Sequence, residues 1–361
     1  MQILPRDEAA RGVLPADPSL QILPRDDLCG AADPSQGRSP AADPSPQILP
    51  RDDLKKLAQA AVDEEGMTLP RRVLPNTTYL VTRRCLGRRF LLRPDRALNR
   101  LFLYCLALAV RKYGIEVHGL CVMSNHYHLT MTDVRGVLPD FMGWLNCQLA
   151  KRIKRLRRWD EVVWEPNVHY SAVELQGEAE ALDKVAYTLL NPMSAGLVRR
   201  PEDWPGVVST MKQLCRGKLE AQRPRRWFKN ELPESLTLTL TPPPCFTERD
   251  AYFAALRRLI ERRLRTLQAE WASQGRRVVG RKAVLKTSVT SSPASRKERF
   301  GRSPTFSALT RQAWLQAAKR LRAFRAAYRR AYEAWRSGEP DVEFPVGTWW
   351  LVRCANGTIA N

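Results

Sequence analysis

The sequence predicts an α+β fold, an antiparallel sheet with helices packed on it. Three observations point there. Residues 76–85, 115–123 and 126–134 are short runs rich in β-branched, aromatic and other apolar residues, as strands are. Residues 93–114 and 138–158 carry apolar side chains at helical spacing. The order strand, helix, strand, strand, helix, helix fits a compact antiparallel sheet with helices against it.

The elements follow in order. "NTTYLVTRRC" (76–85) has the composition of a strand. "RPDRALNRLFLYCLALAVRKYG" (93–114) reads as a long helix: Pro94 suits its first turn, and Leu98, Leu101, Phe102, Cys105 and Leu108 give the apolar face. Gly114 stops it. "IEVHGLCVM" (115–123) and "HYHLTMTDV" (126–134) are strands joined by a turn at Ser124-Asn125. "LPDFMGWLNCQLAKRIKRLRR" (138–158) is a second helix, and "GEAEALDKVAYTLLNPMSAGLV" (177–198) contains a third, broken at Pro192.

Two regions flank this core, which spans residues 70–215. Residues 1–69 read as a disordered Pro-rich leader: "QILPRDE" or "QILPRDD" begins at residues 2, 21 and 47, and nine of 26 prolines fall within residues 1–54. Residues 216–245 read as a linker. Residues 246–361 read as a basic, mostly helical accessory DNA-binding region, with helices expected over 246–274 and 305–338, a basic connection over 275–304 and a short strand at 344–354.

The 361 residues hold 59 Lys+Arg against 37 Asp+Glu, a formal charge of +22. Residues 1–54 hold five Arg and nine Asp+Glu, a net −4, so the remainder carries +26. Such an excess implies a polyanionic partner, most often nucleic acid. The eight cysteines form no C-x-x-C pair, so no zinc ribbon or thioredoxin motif is signalled. No apolar run marks a membrane span or secretory leader. A reducing, cytoplasmic location fits, nucleoid-associated if DNA is the partner.

Two of four histidines stand one residue apart in "VMSNHYHLTM" (122–131). On a strand, His126 and His128 face the same side while Tyr127 faces the other. Two imidazoles so placed can share a divalent cation; the plain alternative is a pair of locally hydrogen-bonded histidines. "VAYTLLNP" places Tyr187 and Asn191 four apart, neighbours on one helix face. A tyrosine hydroxyl can be a nucleophile, and an amide oxygen is a hard ligand. Taken singly, Tyr187 reads better as a core tyrosine and Asn191 as a helix-ending residue; the joint pattern favours function.

These two motifs resemble those of the HUH transposases with a single catalytic tyrosine, in particular the REP-associated tyrosine transposases. "CVMSNHYHLTM" is similar to that family's Met-Pro-Asn-His-x-His strand, with Ser124 in place of proline. "YTLLNPMSAGLV" is similar to its tyrosine helix opening "NPVRAGLV", with Ser194 where arginine is common. "RRPEDWPGVVST" looks like its Asp-Trp-x-x-Ser stretch. The match covers residues 72–212, and "VVGRKAVLK" and "FPVGTWWLVR" resemble extensions of long members.

The resemblance implies a ferredoxin-like HUH core and a metal-dependent endonuclease and strand transferase. His126, His128 and Asn191 would hold Mg2+ or Mn2+. Tyr187 would attack single-stranded, hairpin-bearing DNA to form a 5′-phosphotyrosine. Both a homodimer and a monomer are compatible with the family. A catalytically inactive regulator that binds DNA hairpins with the same fold is the alternative, and a basic scaffold protein is the plainest one.

Six of the eight residues 151–158 are basic: Lys151, Arg152, Lys154, Arg155, Arg157 and Arg158. Ile153 and Leu156 alone interrupt them and can face the core. The cluster is a candidate DNA-phosphate edge or a solvated helix end. Trp314, Phe324, Tyr328, Tyr332 and Trp335 punctuate the 305–338 helix, as base-stacking or core residues.

Overall fold

The computed structural model describes residues 70–166, 169–294, 304–354 and 358–359. The repetitive leader lies outside the described residues. In chain order the elements are β1 (Thr77–Arg84), α1 (Arg96–Tyr113), β2 (Ile115–Val122), β3 (His126–Asp133), α2 (Leu138–Arg157), β4 (Ser171–Leu175), α3 (Glu178–Ser194) and α4 (Met211–Arg216). There follow β5 (Lys218–Gln222), β6 (Ser235–Thr239), α5 (Arg249–Ser273), α6 (Arg281–Lys286), β7 (Phe306–Ser307), α7 (Arg311–Arg336), β8 (Glu343–Phe344), α8 (Trp350–Cys354) and β9 (Thr358–Ile359). The architecture is α+β, built on a five-stranded sheet in the order β2-β3-β1-β4-β7. All its pairs are antiparallel except β4 with β7.

Alternation along β3 sorts its side chains to two faces. Tyr127, Leu129 and Met131 point to the core beneath α1 and α2 and are fully buried. Phe102 of α1 meets the Tyr127 ring edge-on at 5.1 Å, worth about 1 kcal/mol beyond the area it buries. The Tyr127 hydroxyl donates to Asn146 Oδ1 of α2 at 2.8 Å. His126, His128, Thr130 and Thr132 point the other way, toward α3, where Thr130 meets Thr188 at 3.0 Å between hydroxyl oxygens. The edge of β2 is closed by residues 204–209: Val122 N–H donates to Val207 O (2.8 Å), and Ser209 N–H donates to Leu120 O (2.9 Å). Gly206 permits this approach, since a Cβ there would lie 2.8 Å from Val122 O.

Several expected boundaries shift for identifiable reasons. Asp95 caps α1 by accepting from Leu98 N–H at 2.8 Å, so Pro94 precedes the cap instead of sitting in the first turn. Gly114 adopts φ +69° and ends the helix as expected. Pro192 does not break α3, which runs on to Ser194. The proline falls in the last turn, where its missing N–H costs one hydrogen bond and no following turn is disturbed. β4 escaped the sequence reading because "SAVEL" is only five residues long.

Residues 216–245, expected as a linker, hold the antiparallel pair β5–β6, whose Leu219, Ala221, Leu236 and Leu238 join the main core. The region after 246 shares that core too. α5 contributes Tyr252, Leu256 and Ile260, and β7 extends the sheet beside β4. The described residues form one compact unit. The stretch 344–354 ends mostly as the helix α8, with only Glu343–Phe344 as strand. Among the described residues no helix is long and apolar enough to cross a membrane.

Candidate active site

The sheet register and the α3 helix bring the two sequence motifs together. His126 and His128 lie side by side at the start of β3, ring centroids 4.7 Å apart. α3 runs antiparallel to β3: Thr188 stands over Thr130, and one turn later Asn191 stands over His128. The Asn191 side-chain amide lies 3.2 Å from His128 Nε2. The Tyr187 ring meets the His128 ring edge-on at 5.2 Å. The four candidate catalytic and metal-ligating residues thus form one cluster. His128 and Asn191 are buried, while His126 and Tyr187 are half-buried.

Each imidazole has Nδ1 tied to an oxygen. His126 Nδ1 is 2.7 Å from Asn125 Oδ1, and His128 Nδ1 is 2.8 Å from Thr82 Oγ1. An amide oxygen only accepts, so His126 Nδ1 carries the proton and Nε2 keeps its lone pair. Asn191 Nδ2 only donates, so His128 Nε2 accepts from it, the ring proton sits on Nδ1, and Thr82 Oγ1 accepts that proton. Metal-binding histidines are held like this, with the far nitrogen donating to an oxygen. Burial lowers the His128 pKa from 6.5 to about 3, with Arg84 adding to the effect. Burial pushes His126 well below its ordinary value, and the His128 and Arg84 charges reinforce this while a hydrogen bond to Asn191 opposes it. Both rings are therefore neutral near pH 7, the form that coordinates a cation.

This donor set fits a hard divalent ion, with two imidazole nitrogens and one amide, once Asn191, whose Nδ2 faces His128 here, turns its side chain to present the oxygen. Among the described residues no group of three or more His, Cys, Asp or Glu is placed to hold a metal. The third donor here is an amide, outside that set.

Sequence reasoning missed the supporting residues. Thr82 lies directly across the β1–β3 ladder from His128, and Arg84 across from His126. Neither pairing is visible without the register. Lys184, one turn before Tyr187 on α3, places its ammonium 5.9 Å from the phenol ring and pairs with Asp183 at 3.2 Å.

The basic end of α2 lies at the same end of the sheet as His126 but belongs to the opposite face. Arg157 is engaged internally: it donates to Leu91 O (3.0 Å) and Arg93 O (2.7 Å) and pairs with Asp95 at 2.5 Å. Arg152 donates to Gln148 O at 3.2 Å and stacks over Phe228 at 4.0 Å. Arg155 and Arg158 are exposed, Lys151 and Lys154 half-exposed, and Ile153 is buried beneath them. In α7, Phe324 is buried and Tyr328 packs on Phe344, so these aromatics serve a local core. Trp335 is 39% exposed.

No protein-family model matches the chain, and no curated protein matches it. Among solved structures, it is similar to a REP-associated tyrosine transposase bound to a REP hairpin, at 18% identity over 46% of this chain and 94% of that one, with a TM-score of 0.36. It is also similar to a candidate transposase from Deinococcus radiodurans R1, at 21% identity over 30% of this chain and 85% of that one, with a TM-score of 0.24. Likenesses this low carry no weight for the site, whose description rests on its own geometry.

Proposed function

We propose that the protein is a metal-dependent single-strand DNA endonuclease and strand transferase with Tyr187 as nucleophile. The observation that carries this reading is the convergence of Tyr187 and Asn191 from α3 on the His126–His128 pair of β3. The motif resemblance and the net charge of +22 support the same substrate class.

His126, His128 and Asn191 would hold Mg2+ or Mn2+, which would supply polarisation of a phosphoryl oxygen. The Tyr187 oxygen attacks phosphorus, and the bond from phosphorus to the 3′ oxygen breaks. The phenol loses its proton to solvent, and the departing oxygen takes one up as a 3′-hydroxyl. The 5′ strand stays on Tyr187 as a phosphodiester. A 3′-hydroxyl of the same or another strand can then attack that ester, rejoin DNA and free the tyrosine. No nucleotide hydrolysis is needed, because each bond broken is replaced by one of the same kind. Lys184 places positive charge near the phenol where negative charge develops.

The test is incubation with hairpin-bearing single strands and Mn2+, followed by a denaturing gel. A covalent adduct that disappears in Tyr187→Phe is the expected result. Tight binding with no adduct points instead to a DNA-hairpin-binding regulator of the same fold.

A further inference from the structure

Residues 276–291 tie together the two structures that carry the site. At one end, Val279 N–H donates to Gly196 O (3.0 Å) and Gly280 N–H to Leu197 O (2.9 Å). Arg276 reaches Ala195 O at 3.5 Å. Residues 195–197 are where α3 ends, just past Asn191. At the other end, Phe90 N–H donates to Ser291 O (2.9 Å), Arg93 Nη1 to Thr287 O (3.1 Å), and the Arg89 guanidinium to Thr290 O. The 86–93 loop also supports the histidines, since its Arg88 carbonyl accepts from the Asn125 amide at 3.1 Å. α3 runs antiparallel to β3, so both anchors sit at the end of the sheet where His126 stands.

Between the anchors lies α6. Val284 is buried and pins this short helix to the core, while Arg281, Lys282 and Lys286 are exposed. Residues 276–286 hold five Lys or Arg, and no Asp or Glu occurs from 271 to 297. Gly196, whose carbonyl accepts from Val279, adopts φ +67°, a left-handed backbone that favours glycine. A loose basic tail would not make main-chain hydrogen bonds at both ends. This segment is held as a fixed strap along the rim of the site.

We propose that the strap is a phosphate rail: Arg281, Lys282 and Lys286 grip the backbone of a single strand of DNA at the end of the sheet where His126 stands. The inference rests on the reading of the site as one that processes single-stranded DNA, and it adds the segment that holds the substrate. Fixed cations beside the cluster would position phosphates without reading bases, as groove-lining Lys and Arg do on single strands.

The experiment uses the full chain and a fluorescent hairpin-bearing single strand, titrated in EDTA at several KCl concentrations. Three proteins are compared: wild type, R281Q/K282Q/K286Q, and a control, K319Q/R320Q/R322Q, which removes three exposed charges from α7. Thermal unfolding checks that all three fold. The strap variant should bind at least tenfold more weakly, and its plot of log affinity against log salt should flatten by about 2, near 0.7 for each phosphate no longer neutralised. The control should change neither by as much. Equal losses in both variants mean diffuse charge and overturn the rail, as does an unchanged strap variant. Adduct formation with Mn2+ is read separately. A rail with no wild-type adduct sinks the tyrosine reading alone, and an adduct with unaltered strap binding sinks the rail alone.

Discussion

The Asn191 amide lies 3.2 Å from His128 Nε2, although 63 residues separate them in the chain. On the other side of the same ring, Thr82 holds Nδ1 at 2.8 Å. His128 is thus bracketed by two polar side chains from two other elements. A buried imidazole so fixed presents one nitrogen in one direction, as a ligand must.

Thr82→Val removes the oxygen that fixes His128 and keeps the side-chain shape. Mn2+ affinity, measured by calorimetry without DNA, should fall about 10- to 100-fold, the usual effect of losing a partner that orients a metal ligand. Thr82→Ser should restore most of it. Equal affinity in all three proteins would show that Thr82 orients nothing.

Asn191→Ala should weaken Mn2+ binding more than Thr82→Val does, because it removes a donor and not a support. Folding should survive it, since the side chain lies at the end of α3 beside the polar cluster. An unchanged Mn2+ isotherm would remove Asn191 from the site.

His118 gives an acid-sensitive element away from the cluster. It is fully buried at a β-bulge, with Nε2 2.8 Å from Thr132 Oγ1 and Nδ1 2.9 Å from Thr241 O. Burial lowers its pKa from 6.5 to about 4, against a smaller opposing effect of the hydrogen bond it donates to the Thr241 carbonyl. Between those values the unfolded chain binds the extra proton and the folded chain does not. Its contribution is therefore complete above pH 6.5 and is lost as pH falls toward 4, by about 3 kcal/mol. Urea unfolding at pH 7, 5.5 and 4.5 should show this acid limb together with that of buried His126 and His128, and His118→Gln should reduce it by its own share. An identical limb in the variant would assign the loss elsewhere.

Gly196→Ala should destabilise the chain by about 1–2 kcal/mol through its left-handed backbone and also release the strap. Hydrogen exchange should speed up at residues 276–291. Gly275→Ala carries a similar backbone penalty at φ +59° with nothing near its Cβ, so it should leave strap exchange unchanged. Equal exchange in both variants would mean that the Gly196 backbone does not anchor the strap.

The sequence made the three longest strands and the helices of the core legible because their periodicity is strong and their ends are marked, as at Asp95 and Gly114. His126, His128, Tyr187 and Asn191 were legible as candidates through the two motifs taken together and the family they resemble. What spacing could not show was register. Thr82 and Arg84 became part of the cluster only through the β1–β3 pairing. Arg157 looked like a phosphate contact because a basic run does not reveal that one member turns inward to Asp95 and two carbonyls. The strap was read as a connection because its order comes from hydrogen bonds to residues about 80 and 200 positions away.

The measurement closest to the central claim is mass spectrometry of the covalent species. Protein reacted with single-stranded DNA and Mn2+ is digested with nuclease and trypsin, and modified peptides are sequenced. The account requires a nucleotide joined through its 5′ phosphate to the peptide bearing Tyr187, absent when His128 is replaced by alanine. A nucleotide on a different tyrosine, or the same yield of adduct without His128, would contradict it.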